Sequence, residues 1–150
     1  LVRHWMHQAM VRMDGEKMSK SLGNLVFVSD LSLTWDPRAI RLACLSHHYR
    51  SSWEWHDSLM SQATTRLLAW VAAGSASAAN SPSAHPAPPA LDQVRTALDQ
   101  VRTALDADLD TPAALLAIDV AAAAGEDVQQ AAQLLGVDLT RPVLLTGDPA

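Results

Sequence analysis

The stretch DGEKMSKSLGN, residues 14–24, packs two lysines, two serines and two flanking glycines around one methionine. Two ammonium groups and two hydroxyls on a short glycine-bounded segment are what a polyphosphate needs from a mobile clamp. A lysine supplies a point charge that follows negative charge as it builds on a leaving group. Gly15 and Gly23 leave the backbone free to close over a ligand. An ordinary solvated surface loop uses the same residue types, and spacing alone does not separate the two.

Outward from the loop, the chain alternates between short apolar runs and helical patterns. The opening LVRHWMHQAMVRM reads as the middle of a packed segment, a helix end running into a short strand, and suggests a fragment lacking upstream sequence. Asp14-Gly15 reads as a turn, and Leu25 to Val28 (LVFV) as a short strand. Asp36-Pro37 has the chemistry of a helix start, with the inner face carried by Ile40, Ala43, Cys44 and His47. A second helix is expected from about Asp57 to Ala73, because Trp55, Leu59, Ala63, Leu67 and Trp70 recur at helical spacing. The Ser/Ala/Pro-rich residues 74–90 read as a flexible linker.

Beyond it DQVRTAL occurs twice in tandem, at 92–98 and 99–105. Seven residues make nearly two helical turns, so the duplication lengthens a helix and keeps its apolar face almost in phase. Thr111-Pro112 starts another helix, and a last one runs from near Asp127 to Gly136. The expected organisation is therefore 1–73, linker 74–90, a helical bundle over 91–139 and a loose tail over 140–150.

Composition narrows the function. Hydrophobic residues make up 49% of the 150 and charged residues 18%, enough for one moderate core and unlike a disordered chain. The single cysteine, Cys44, excludes a disulfide framework and fits a reducing, cytoplasmic setting. No apolar run is long enough to span a bilayer. Residues 1–90 hold 8 Lys/Arg against 6 Asp/Glu, whereas residues 91–150 hold 3 against 10. So acidic a second half is poorly suited to a phosphate backbone.

The five letters KMSKS, Lys17 to Ser21, match the second signature of class I aminoacyl-tRNA synthetases. A specified five-residue string arises by chance in a chain this long roughly once in 20,000. With its flanks, DGEKMSKSLGN resembles the cysteinyl branch of that class. DPRAIRLACLSHHYRS after it and DADLDTPAALLAI beyond the linker do so too. That branch contains cysteinyl-tRNA synthetases and the related ligases of the mycothiol pathway. NLVFVSDL, HHYRSSWEW and the acidic C-terminal half are closer to the ligases.

The resemblance implies a mainly α fragment: the end of a Rossmann-type α/β catalytic domain with the KMSKS loop, followed by a helical bundle. It implies activation of L-cysteine with ATP to cysteinyl-adenylate, then transfer to the amine of glucosaminyl-inositol (GlcN-Ins). Neither nucleic acid nor membrane is an expected partner, and the protein is expected to be monomeric. Lys20 would neutralise the pyrophosphate, supported by Lys17, Ser19 and Ser21. Val11 would meet the adenine through its backbone. The family's HIGH-type ATP motif does not occur in these residues, and the zinc that holds the cysteine thiolate would use upstream ligands. Cys44 and His47 have helical metal-ligand spacing, but two ligands do not make a site, and core packing is the expected role of both. His48, Tyr49 and Arg50 are expected to line packing between the Pro37 helix and the catalytic core. A non-catalytic helical module is the reading from another class.

Overall fold

The computed structural model describes residues 2–79 and 89–144, with side chains at 2–75 and 96–144. The chain is mainly α, with a small three-stranded sheet at its N-terminal end. Strands β1 (Val11–Met13) and β2 (Glu16–Lys17) form an antiparallel hairpin with Arg12 opposite Lys17. Its two-residue turn, Asp14-Gly15, has φ of 55° and 78°, the paired positive values of a type I′ turn. Strand β3 (Trp53–Glu54) returns parallel to β1, Val11 opposite Trp53, giving the order β2-β1-β3.

The expected strand at Leu25 to Val28 does not form. Residues 24–27 belong to no element, and Val28 opens helix α1 (Val28–Thr34). The β preference of Val and Phe reflects packing on a neighbouring strand, and none pairs with this segment. The helix end expected in the opening segment is absent too, since residues 4–10 are neither helix nor strand.

Helix α2 (Pro37–Leu45) begins as its sequence dictates, with the Asp36 carboxylate accepting from the Arg38 N–H at 2.9 Å. Ala39, Ile40, Leu42 and Ala43 are its buried face. Cys44 instead is exposed, because the buried arc closes at Ala43.

Helix α3 (Ser58–Ala79) runs six residues past the expected end at Ala73. Half of the extension is alanine, the strongest helix former, and the helix absorbs Gly74. Residues 80–88 of the expected linker, and 145–150 of the expected tail, lie outside the described residues.

Helix α4 (Pro89–Asp106) carries the tandem repeat. Ala97 and Ala104, equivalent positions of the two copies, are both buried and flank the fully buried Val101. Retention of phase across seven residues is thus visible in the packing. In helix α5 (Thr111–Ala123) the cap is Asp110, one residue earlier than expected, its carboxylate accepting from the Ala113 N–H at 3.0 Å. Helix α6 (Gln129–Leu134) closes in a Schellman turn. Gly136 donates to Gln133 O at 2.9 Å and Val137 to Ala132 O at 3.0 Å, which needs the Gly136 φ of 72°.

One core joins the helices on both sides of residues 80–88. Trp70, Leu42, Met60, Leu67, Leu115, Ile118, Val101, Val128 and Val137 are its largest buried side chains. Within it the Trp70 indole N–H donates to Asp119 at 2.8 Å, and Asp119 also receives Arg66 Nε at 3.1 Å. The polar end of a fully buried tryptophan is thereby satisfied.

The start of α2 is also tied to residues 138–144. Arg38 reaches from α2 to the carbonyls of Asp138 (2.6 Å), Arg141 (2.9 Å) and Pro142 (2.9 Å). Asp36 accepts from the Leu144 N–H at 3.0 Å. The first residues of the stretch expected to be loose are therefore held against the start of α2.

His48, Tyr49 and Arg50 converge on Asp108, in the turn between α4 and α5. The Tyr49 hydroxyl donates to it at 2.6 Å and Arg50 at 2.6 and 3.0 Å, while His48 Nε2 lies 3.1 Å from its carbonyl. The Tyr49 carbonyl also accepts from Ala9 N–H at 2.8 Å, linking the segment before β1 to the bundle. The hydrogen bonds from Arg50 and then Tyr49 hold the Asp108 carboxyl down at about 2. A carboxylate with a depressed folded-state pKa contributes stability above its ordinary value near 3.8. That contribution fades as pH falls towards about 2. Asp108→Asn, which keeps the side chain suited to the Asp108 φ of 58°, should lower the urea midpoint at pH 7 and flatten its loss between pH 5 and 2. Asp99→Asn is the control, since its pair with Arg102 (3.2 Å) is exposed on one helix, and should leave the midpoint within error.

Candidate active-site loop

The lysine loop leaves the hairpin at β2 and crosses to α1. Lys17 ends β2, and Met18 folds its N–H back onto the Val11 carbonyl at 3.1 Å. Val11, half-buried on β1, thus lies beside the start of the loop. The next residues form a compact turn. Ser19 Oγ lies 3.2 Å from Ser21 Oγ and accepts from the Leu22 N–H at 3.3 Å. Gly23 N–H donates to the Lys20 carbonyl at 3.3 Å, with Gly23 at φ 67°.

Lys17, Lys20 and Ser21 are exposed and Ser19 is partly buried. Among the described residues no carboxylate pairs with either lysine, so both ammonium groups stand in solvent on the same loop. The structure therefore brings Val11, Lys17, Ser19, Lys20 and Ser21 into one hairpin and its adjoining turn. Two lysines and a serine pair presented together, backed by a sheet and bounded by glycines, are suited to an anionic ligand carrying several oxygens.

Two residues that contact this loop were not singled out by the sequence. Asn24 Oδ1 accepts from the Ser19 N–H at 2.8 Å while its Nδ2 donates to the Lys17 carbonyl at 3.4 Å. Glu54 Oε1, from β3, accepts from the Gly15 N–H at 2.8 Å. For Asn24 the available signal was an amide residue directly after the closing glycine, a common place for side-chain-to-backbone bonds. For Glu54 there was none, because its contact spans 39 residues.

The metal reading of Cys44 and His47 is not supported. His47 stacks on Trp53 with ring centroids 4.2 Å apart, and its Nδ1 lies 3.2 Å from the Ala43 carbonyl. Burial pushes its imidazole below the ordinary value, against the opposing effect of the Ala43 carbonyl. Among the described residues no three His, Cys, Asp or Glu side chains come together to hold a metal ion. Nor, among them, is any helix long and apolar enough to cross a membrane.

A hairpin carrying a two-lysine loop, a parallel return strand and a following helical bundle define a piece of a class I synthetase-like domain. The family model for the tRNA synthetases class I (C) catalytic domain matches residues 1–65. The chain is 51% identical over 118 residues to the L-cysteine:1D-myo-inositol 2-amino-2-deoxy-alpha-D-glucopyranoside ligase of Thermobifida fusca, covering 78% of this chain and 26% of that protein. The proteins of the same name from Streptomyces coelicolor and Clavibacter sepedonicus are each 46% identical. Those matches cover 79% and 91% of this chain, and 26% and 34% of the relatives. The chain belongs to this class I synthetase-like family, in the group that contains those ligases. It spans between a quarter and a third of the length of these curated relatives.

Proposed function

We propose that the chain is the lysine-loop part of a cytoplasmic ligase that activates L-cysteine with ATP. The ligase would then join the cysteine to the amine of the inositol-linked glucosamine named in its relatives. The observation that carries this reading is the exposed Lys17/Lys20 pair on a hairpin-anchored loop, in a chain close to half identical to those ligases. In the first step the cysteine carboxylate attacks the α-phosphorus and pyrophosphate leaves. Lys20 meets the charge developing on pyrophosphate, with Lys17, Ser19 and Ser21 supplying further donors. The backbone of Val11, at the root of the hairpin, would meet the adenine. In the second step the unprotonated amine attacks the activated carbonyl and AMP leaves. Zinc, bound elsewhere in the whole protein, would hold the cysteine thiolate, which a serine hydroxyl could not match.

By this reading residues 1–73 close the catalytic domain, 74–90 connect, and 91–139 complete a bundle that shares its core with α2 and α3. Trp5 (76%), Met6 (64%), Phe27 (54%) and Leu33 (76%) are exposed in the N-terminal segment that bears the loop, and the remainder of the catalytic domain is their proposed cover. A transfer to tRNA is the second reading, favoured by the name of the family model, and opposed by the acidity of residues 91–150.

The test is cysteine-dependent exchange of pyrophosphate into ATP. The full-length protein should catalyse it with cysteine and not with serine, whereas residues 1–150 alone should show no exchange above background. Exchange by the isolated 150 residues would contradict the division of the site. No exchange by an intact, zinc-loaded full-length protein would contradict the activity.

A further inference from the structure

Mobile clamps need a defined resting shape as well as freedom to move, and the hydrogen bonds around this loop supply one. The segment 17–19 is gripped by a single side chain. A carboxamide is the one short neutral group with an acceptor and a donor side by side, and Asn24 uses both, on the Ser19 N–H (2.8 Å) and the Lys17 carbonyl (3.4 Å). At the hairpin tip, Glu54 of β3 takes the Gly15 N–H at 2.8 Å. Both glycines have positive φ, so both are points where backbone freedom is greatest. Each lies at, or one residue from, a side-chain latch.

We propose that Asn24 is the positioning residue that sets where Lys20 projects, with Glu54 anchoring the opposite end of the loop. This rests on the reading that Lys20 meets pyrophosphate. The Lys20 side chain makes no hydrogen bond or ion pair among the described residues, so its direction is set largely by its backbone. That backbone is fixed on one side by Ser19, held by Asn24, and on the other by the 3.3 Å Gly23–Lys20 hydrogen bond. Neither latch touches a reacting atom, and neither supplies charge to the phosphates. Their effect must pass through the lysine.

That route has a signature which a merely structural role lacks. In the full-length protein Asn24→Ala should lower kcat for cysteine-dependent ATP–pyrophosphate exchange roughly tenfold, as expected when about one net hydrogen bond of bias is lost. KM for cysteine should not change. In a Lys20→Ala background the same substitution should cost less than twofold, because the group being positioned is gone. Glu54→Gln keeps an acceptor for Gly15 and should remain close to the parent, whereas Glu54→Ala should lose activity in the same Lys20-dependent way. Amide exchange at Ser19 should accelerate in Asn24→Ala with the melting temperature unchanged.

An Asn24→Ala protein with unaltered kcat would overturn the proposal, as would an equal loss with and without Lys20. If the parent shows no exchange at all, the activity reading fails. Ser19 amide protection then tests the latch alone, and its persistence in Asn24→Ala would overturn it.

Discussion

Lys20→Ala in the full-length protein should slow cysteine-dependent ATP–pyrophosphate exchange by about 10²- to 10³-fold, the range seen when one preorganised donor to a developing negative charge is removed. On the proposed role the effect belongs to kcat, because the charge that Lys20 would meet grows only as pyrophosphate departs. Lys20→Arg should recover little. A guanidinium is a broad planar fork rather than a compact charge and does not occupy the same point. Lys17→Ala should cost less, since Lys17 ends β2, where Arg12 lies opposite it, and is less free to follow the phosphates. Neither substitution should alter the melting temperature, since both side chains are exposed and unpaired among the described residues. Steady-state exchange with ATP and cysteine varied separately checks all of this.

Asp36→Ala should be the most damaging single change to stability outside the apolar core. The carboxylate is 3% exposed and serves three purposes at once. It caps α2 through the Arg38 N–H, pairs with the Arg38 guanidinium at 2.7 and 2.9 Å, and holds Leu144 N–H at 3.0 Å. Burial alone would raise its pKa, but hydrogen bonds from the Arg38 side chain and from two backbone N–H groups outweigh that and bring it to about 2. Removing it leaves the largely buried Arg38 without its counter-ion and frees residues 138–144. The expected loss is about 3 kcal/mol, at the low end for breaking a buried pair, or a fall of roughly 6–12 °C in melting temperature for a chain of this size.

The linkage has a definite sign. Asp36 is held below its ordinary value, so its contribution is complete at neutral pH and disappears as pH drops from about 4 to about 2. The shift corresponds to about 2 kcal/mol. Asp36→Asn, which preserves the cap acceptor, should lose less at pH 7 and show a shallower acid transition. Thermal melts of this chain at pH 7, 4 and 2.5 separate the variants.

How much of this was readable beforehand depended on range. Local chemistry was legible: the Asp14-Gly15 turn, the Asp36 cap with Pro37, the closing Gly136 and the phase-keeping repeat at 92–105. Each depends on residues within one or two turns. Val11 and the four polar residues of the loop were named from the family resemblance, and they lie in one hairpin and its adjoining turn. Failures came where distant partners decide. LVFV has strand-forming residues but no strand beside it, and it leads into α1 instead. The two residues of β3 pair in parallel with β1 across a long crossover, which no local pattern announces. Cys44 lies one helical position outside the buried arc, a difference set by what packs on α2. Asp36 was legible as a cap, yet its hold on residue 144 was not, and the same separation hid the contacts of Arg38 with residues 138–142. Glu54 and Asn24 were passed over because each acts on another residue's backbone rather than on a ligand.

On the proposed function this loop belongs to an enzyme that hands activated cysteine to an amino-sugar rather than to tRNA. The most direct test gives the full-length protein labelled cysteine, ATP and both acceptors together, then separates the products. The expected result is label in the amide of the inositol-linked glucosamine with stoichiometric AMP, and none esterified to tRNA. Label on tRNA without amide would contradict it.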